Sequence, residues 1–277
     1  MPTTNNKDAY DLSYDALPSW ACSALSTNPF YDKMVREGYE AMAGLNVVIA
    51  GLARNIGEDL NNTIARIERT GDFFNDYAVC IFENDSTDGT TERLAEWQAR
   101  NPNVVVKSEK FDRKQWGPVR DLGRMVDLAE YRNACRNMIL ESYPEADYVI
   151  LVDTDLKGGW KYDGIANSFS QVSRWDFCGS VSWAQVNNKW VHYDVWACRP
   201  NHWKALHARD INPWLPLPGQ DLIPVKSCFG GLGIYRMDAY KSAEYAGYDC
   251  EHVCFHQRMI EKGYGRIYMN PSQITLY

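Results

Sequence analysis

The chain opens without a steady hydrophobic period. Residues 1–30 scatter apolar side chains among Pro, Ser, Asn and Asp, and the start MPTTNNKDAYDLSYD is polar and acidic. A period appears at Tyr31, Met34, Val35, Tyr39 and Met42, spaced as one helix face, with Gly44 as a stop. The expected division is therefore an N-terminal extension with a helix over 1–44 and a main domain over 45–277. From Leu45 a regular alternation sets in. LNVVIAGLA reads as a buried strand, Ile56, Leu60, Ile64 and Ile67 as a helix stripe closed by Gly71, and YAVCIFEN as a second strand. DSTDGTTERLAEWQAR reads as a turn and a helix capped by Asp88, and VVVKSE as a third strand. Leu128, Tyr131, Cys135, Met138 and Ile139 mark another helix, followed by the strand DYVILVD. The second half predicts short strands near 177–182, 190–197 and 231–236, a helix near 251–262 and a last strand RIYMN. Continuous apolar strands alternating with helices predict an α/β domain whose mostly parallel sheet is covered on both faces.

In open α/β sheets ligands collect at the carboxyl ends of the strands, which directs attention to residues 51–55, 83–88 and 153–160. The strongest signal is Asp153-Thr154-Asp155, directly after YVILV. In extended backbone the two carboxylates point the same way, and their repulsion is relieved by a shared Mg²⁺ or Mn²⁺; a solvated turn is the plainer alternative. ENDSTDGT supplies short polar side chains for a base or ribose, although the same residues also build turns and caps. Arg132 and Arg136 are expected to face away from the Leu128/Tyr131/Cys135 stripe, Arg132 toward a phosphate and Arg136 toward solvent. Lys110, Arg113, Lys114, Arg120 and Arg124 form a basic patch suited to a diphosphate or an anionic acceptor, or else a mobile loop.

In CEHVCFHQRMIEKGYGRIYMNP, Glu251, His252 and His256 share a helix. One histidine could reach the Asp153/Asp155 cation with Glu251 as acid or base, while His256 could be a core residue. Gly230 and Gly231 allow close backbone approach to a ligand, or form a strand-entry bulge. Asp194, in the aromatic stretch HYDVWA, suits sugar hydroxyls or a base. Trp160, Trp183, Tyr193 and Trp196 are candidate sugar platforms, with core packing as the alternative for the tryptophans.

Composition narrows these options. Ten Trp and 17 Tyr in 277 residues fit either a sugar or nucleotide site or an aromatic core. Asp plus Glu number 36 against 29 Lys plus Arg, which disfavours a nucleic-acid partner. No apolar run approaches the roughly 20 residues of a transmembrane helix, and the start is no signal peptide. A soluble, cytoplasmic protein is expected, with peripheral membrane contact left open. Eight cysteines without a CxxC pair, several inside apolar runs, predict buried reduced thiols rather than disulfides or zinc.

The set of motifs resembles nucleotide-sugar glycosyltransferases of the GT-A fold over residues 45–277. It looks closest to the fungal capsule-associated α-1,3-mannosyltransferase family. The pieces that carry the resemblance are ENDSTDGT, VDTD, YDVWACR, VKSCFGG and CEHVCFHQRMIEKGYGRIYMNP. It implies a Rossmann-like, mixed and mostly parallel sheet flanked by helices in a single catalytic domain. It also implies Mn²⁺- or Mg²⁺-assisted transfer, with retention, of mannose from GDP-mannose to a glycan or glycoconjugate acceptor. An inverting enzyme using a UDP-sugar is the alternative. The ligands implied for the metal are Asp153, Asp155 and His252, and the catalytic residues Glu251 and Asp194. Donor contacts would come from Ala50, Gly51, Leu52, Arg54, Glu83, Asn84, Asp85, Arg132, Asp153, Thr154, Gly230 and Gly231, and acceptor contacts from Trp160, Trp183 and Tyr193. Glu251-His252 stands where many such enzymes have Glu-Asp, a departure from simple base catalysis. Fungal members carry a membrane anchor, and none is expected from this sequence. An aspartate phosphohydrolase is disfavoured because Lys157 replaces the Thr or Val expected there. Intact Asp153, Asp155 and Glu251 argue against a non-catalytic sugar-binding module. AGLARN lacks the G-x-G-x-x-G of a dinucleotide-binding dehydrogenase.

Overall fold

The computed structural model describes residues 28–117, 119–207 and 216–277. Trp20, Cys22 and the rest of residues 1–27 of the predicted extension lie outside the described residues. The elements in chain order are α1 (Tyr31–Met42), β1 (Asn46–Ala53), α2 (Leu60–Gly71), β2 (Asp76–Asn84), α3 (Thr90–Arg100), β3 (Val104–Glu109), α4 (Leu122–Ser142) and β4 (Tyr148–Val152). They continue with β5 (Gly159–Trp160), α5 (Tyr162–Phe169), β6 (Phe177–Val186), β7 (Lys189–His192), β8 (Ile223–Pro224), β9 (Leu232–Arg236), α6 (Met237–Lys241), α7 (Glu251–Glu261) and β10 (Ile267–Leu276). Ten strands form one sheet with the main order β3-β2-β1-β4-β9-β6-β10-β5; β7 pairs with β6 and β8 with β10. β1, β2, β3 and β4 are mutually parallel, β9 is reversed between β4 and β6, and β6 runs parallel to β10. The fold is a single mixed α/β domain with a mostly parallel sheet.

The apolar strands are continuous because both faces are covered. Val48 and Ala50 of β1 join one core with Met125, Cys135 and Ile139 of α4 and Phe255 of α7. Val47 and Ile49, pointing the other way, join a second core with α1, α2, α3 and α5. α1 belongs to that second core through Tyr31, Val35 and Met42.

Several expectations need correction. The helix after β2 starts at Thr90 with Gly89, in the left-handed region, at the cap position. Asp88 still accepts from the Thr90 amide (3.1 Å), and its other oxygen accepts from the Gly57 amide (2.9 Å), so it ties two loops rather than capping one. The stretch predicted as a strand over 190–197 ends at His192, because Asp194 takes φ 51° and a short 3₁₀ turn follows at Val195–Ala197. Arg136 is buried, not solvated, and donates to the Lys241 carbonyl at 2.9 Å. The last strand runs six residues past RIYMN. The seven described cysteines are all buried and unbridged.

Candidate active site

The carboxyl ends of β1, β2 and β4 open into a cleft of about 500 Å³. Its floor is β1 and β4. Leu52, Ala53 and Arg54 leave β1, Asn84 ends β2, and Asp153, Thr154 and Asp155 leave β4. One wall is a face of α4 carrying Arg124, Leu128 and Arg132 at four-residue spacing. Cys250, Glu251 and His252 close the back at the start of α7, and Tyr193–Trp196 with Tyr277 close the far side.

Asp153 is the most constrained of these groups. Its amide donates to the Gly231 carbonyl (2.8 Å), Tyr277 Oη donates to Oδ2, and Arg132 Nη2 lies 3.4 Å from Oδ1. Burial raises the Asp153 pKa, while Arg132 and Tyr277 pull it back. Asp155 is exposed in a turn, not in extended backbone as expected. Partial desolvation and the nearby Asp153 push it up to about 6. Thr154 Oγ1 donates to the Leu52 carbonyl (2.6 Å) and the Thr154 carbonyl accepts from Thr63 Oγ1 (2.7 Å), so the turn is fixed to β1 and α2.

Behind this pair, Arg132 donates through Nε to Glu251 Oε1 at 2.8 Å. Desolvation opposes the Arg132 charge, but Glu251 and Asp153 outweigh it and hold the guanidinium pKa above its usual value. Arg132 thus links buried Glu251 to half-buried Asp153, and its guanidinium also lies 5.2 Å from the centre of the Phe229 ring. His252 stacks on Phe229 (3.8 Å, 18°), with its Nε2 3.6 Å from Glu251. Burial, then Arg132, keeps it neutral, and neither ring nitrogen has a hydrogen-bond partner among the described residues. His256 is a satisfied core residue between Ser227 (2.9 Å) and Tyr235 (3.0 Å). Asp194 Oδ2 accepts from the Gly230 amide (2.8 Å). Burial first, and Asp153 second, push its carboxyl up to about 8.

Among the described residues no group of three His, Cys, Asp and Glu side chains converges to hold a metal. His252 therefore does not join Asp153 and Asp155 in one ligand set in this structure. The two carboxylates do fit a hard divalent cation of the kind that takes one or two protein carboxylates and completes its shell with water and substrate phosphates.

The other predicted donor contacts divide. Leu52, Arg54, Asn84, Arg132, Asp153 and Thr154 line the cleft. Ala50 and Gly51 do not: β1 extends to Ala53, Ala50 is wholly buried, and Gly51 packs on the Val152 carbonyl. Glu83 is buried and accepts from the Ser86 amide (2.9 Å), which is turn chemistry. Asp85 accepts from the amides of Phe111 (2.8 Å) and Asp112 (2.9 Å) and pairs with Arg54 (3.8 Å), holding the 110–114 segment. Gly230 and Gly231 have φ of 69° and 73° and pack on the Ser180 carbonyl and on Tyr277, so their close approach is to the protein's own backbone and ring.

Two predicted platforms are core residues. Trp160 is buried with Nε1 donating to Thr70 Oγ1 (3.0 Å), and Trp183 is buried and stacked on His192 (3.9 Å). Tyr193 does reach the cleft and packs its ring against Tyr277 (centroids 3.9 Å apart, tilted by 39°), and Trp196 lines it too. Trp116 and Tyr277 are lining residues the sequence reading missed. The rule that found Asp153 also finds Tyr277, the residue directly after β10, once the true end of that strand is known.

No family model and no curated protein matches the sequence. Solved structures share the fold. The mannosyltransferase PcManGT from Pyrobaculum calidifontis, in complex with GDP-Man and Mn²⁺, is similar over 90% of this chain and 63% of its own, at 13% identity and a TM-score of 0.50. GalNAc-T7 with UDP, GalNAc and Mn²⁺ is similar over 84% of this chain and 44% of its own, at 11% identity and a TM-score of 0.51. Glucosyl-3-phosphoglycerate synthase from Mycobacterium tuberculosis, in complex with phosphoglyceric acid, matches 87% and 74%, at 14% identity and a TM-score of 0.50. The chain spans less than two thirds of PcManGT and of GalNAc-T7. These neighbours are GT-A glycosyltransferases, and the chain has their Rossmann-like fold. No described helix is long and apolar enough to cross a membrane.

Proposed function

We propose that the chain is a metal-dependent glycosyltransferase that moves a sugar from a nucleoside-diphosphate donor to a glycan or glycoconjugate. Mannose from GDP-mannose, with retention at the anomeric carbon, is the favoured reaction. The observation that carries this reading is the placement of Asp153 and Asp155 where parallel strands end, in one cleft with Glu251 and Arg132. The GT-A fold adds support, because its members named above include complexes with GDP-Man, UDP and Mn²⁺.

In this reading Asp153 and Asp155 hold the cation, with the Tyr277 hydroxyl and Arg132 fixing Asp153. A bound divalent cation would neutralise charge on the departing diphosphate. Arg54, Asn84 and Thr154 lie at the strand ends, where the nucleotide would rest. Glu251, oriented by Arg132, faces developing positive charge on an oxocarbenium-like sugar. A carboxylate engaged by an arginine is better suited to that role than to taking a proton, which favours retention. Asp194, protonated near neutrality, would donate a hydrogen bond to a sugar hydroxyl.

The test is donor turnover with Mn²⁺ across a set of GDP- and UDP-sugars, with release of the nucleoside diphosphate as readout. GDP-mannose is expected to turn over, and Asp153→Asn to lose at least about 10²-fold in rate. Glu251→Gln is expected to lower kcat far more than it raises KM for the donor. No turnover of any donor, or full activity in Asp153→Asn, rejects the proposal.

A further inference from the structure

From Lys107 in β3 to Arg124 in α4 the chain carries six cations, and the structure sorts them into two groups. Lys107, Lys110 and Arg113 each meet carboxylates: Glu109 (2.6 Å), Asp112 (3.0 Å), and Asp127 with Glu130 (both 2.8 Å). Lys114, Arg120 and Arg124 meet none among the described residues. Lys114 Nζ sits 3.7 Å from the centre of the Trp116 ring, and Arg120 stacks 5.6 Å from Trp196 while donating to the Leu206 carbonyl (2.6 Å). The Arg124 side chain has no hydrogen bond or ion pair among the described residues. An aromatic face or a carbonyl fixes the position of a cation without neutralising its charge.

Two of these cations, Arg120 and Arg124, line the cleft, and Arg124 is near enough for its charge to favour the ionised form of Asp155. Trp116, Arg120, Arg124 and Trp196 all line it. Arg124 and Arg132 are eight residues apart on the same face of α4, which separates their Cα atoms by about 12 Å along the axis. The cations thus extend away from the Arg132–Asp153 contact, the part of the cleft assigned above to the diphosphate and its cation. The same cleft therefore places Arg120 and Arg124 beside the Trp116 and Trp196 rings, where the one neighbouring lining carboxylate, Asp127, is already engaged by Arg113 and Trp116 Nε1.

We infer that this basic, aromatic-walled side is the acceptor subsite and that the acceptor is an anionic sugar, one bearing a carboxylate or phosphate. The inference rests on the glycosyltransferase reading of the cleft. Arg120, already held by Trp196 and the Leu206 carbonyl, loses little freedom on meeting an anion, Arg124 adds a second charge beside it, and the tryptophans present ring faces and edges to the sugar carbons.

Equilibrium binding is measured with the full chain, Mn²⁺ and a saturating nucleoside diphosphate. The probes are glucuronate, glucose 6-phosphate and glucose, read by calorimetry or by the fluorescence of the cleft tryptophans. The charged sugars are expected to bind at least about tenfold more tightly than glucose. That advantage shrinks as NaCl rises from about 50 mM to about 500 mM, which shortens the screening length. Arg120→Gln and Arg124→Gln are expected to remove most of it, and Arg124→Lys to restore more than Arg124→Gln. A panel in which neither charged sugar outcompetes glucose overturns the proposal. So does a result in which the Gln variants weaken nucleoside-diphosphate binding and leave the preference for charged sugars intact, since the cations would then serve the donor. Which anion wins distinguishes a uronate from a phosphate acceptor. If the nucleoside diphosphate itself fails to bind with Mn²⁺, the glycosyltransferase reading fails, and that separate measurement is made first.

Discussion

Asp194 shows how much of a site depends on backbone that a sequence does not display. It sits at φ 51°, a region open to Asp and Asn but costly for most side chains, and its carboxyl ties the Gly230 amide to the β7–3₁₀ junction. HYDVWA alternates like a strand, so neither the turn nor this bond is legible in it. Asp153 and Asp155 are legible, because a buried strand run ends directly before them. Arg132 is legible only as a residue type; its link between Glu251 and Asp153 joins α4 to the start of α7 and to the turn after β4, 119 and 21 residues away. Asp194 also yields a test with a fixed sign. Its folded pKa, about 8, lies above the unfolded value, so the folded state holds its proton more tightly. Its contribution to stability is therefore complete below the ordinary carboxyl range and is lost as pH rises toward 8. Asp194→Asn keeps an acceptor for Gly230 and removes the charge. The variant should gain about 3 °C or more in Tm over the parent at pH 8.5, the effect of about 1 kcal/mol in a domain of this size. Near pH 3, below the ordinary carboxyl range, the two should match. Thermal unfolding followed by circular dichroism decides it, and a gain of equal size at both pH values would remove charge burial as the cause.

Among elements, legibility follows the environment of each. The first four strands and the helices between them were readable because both sheet faces are apolar and the helices are amphipathic. β10 was only half readable. Asn270, Ser272, Gln273 and Thr275 are fully buried there, which reads as loop, yet their polar atoms are paired within the protein. Asn270 donates to Ser168 Oγ (2.8 Å) and Asn167 Oδ1 (3.0 Å), and Gln273 donates to Ser180 Oγ (2.9 Å). A register shift between Asn270 and Ile274 accommodates the stretch, and strand β10 then delivers Tyr277 to the cleft. Helix α1 depends on a different device. Gly38 meets the Ala166 backbone of α5 so closely that a Cβ would overlap the Ala166 carbonyl oxygen, and Tyr39 Oη donates to Asp163 Oδ1 (2.9 Å) beside it. The overlapped atom is backbone, so the clash cannot be relieved by a rotamer change. Gly38→Ala should cost about 1–3 kcal/mol despite the better helix propensity of alanine. A fall in denaturation midpoint without a change in the m-value would confirm it; an unchanged midpoint would mean that α1 shifts freely on α5.

At the scale of the whole molecule, the formal charge of −7 is distributed so that acids accumulate where the sheet ends. Asp153, Asp155, Asp194 and Glu251 all line one cleft, and Arg132 contacts only two of them. Desolvation and mutual repulsion hold Asp155 near 6 and Asp194 near 8, so the unliganded cleft is set against its own negative charge as pH rises. A divalent cation reverses that relation, because it competes with protons for the same oxygens and its affinity grows as they leave. A cation that binds only the folded state at about a hundred times its dissociation constant adds about 2.7 kcal/mol, or about 5 °C or more in Tm for a domain of this size. Manganese should therefore raise Tm by about that amount at pH 7.5 and by clearly less at pH 5.5, where Asp155 is largely protonated. Asp153→Asn should lose most of the rise at pH 7.5. Differential scanning fluorimetry at matched ionic strength separates this from general screening, since potassium or magnesium-free salt of equal ionic strength would move Tm equally in parent and variant. An Mn²⁺ rise of the same size at both pH values, or in Asp153→Asn, would show that the cation binds elsewhere and that the four acids are not arranged for it.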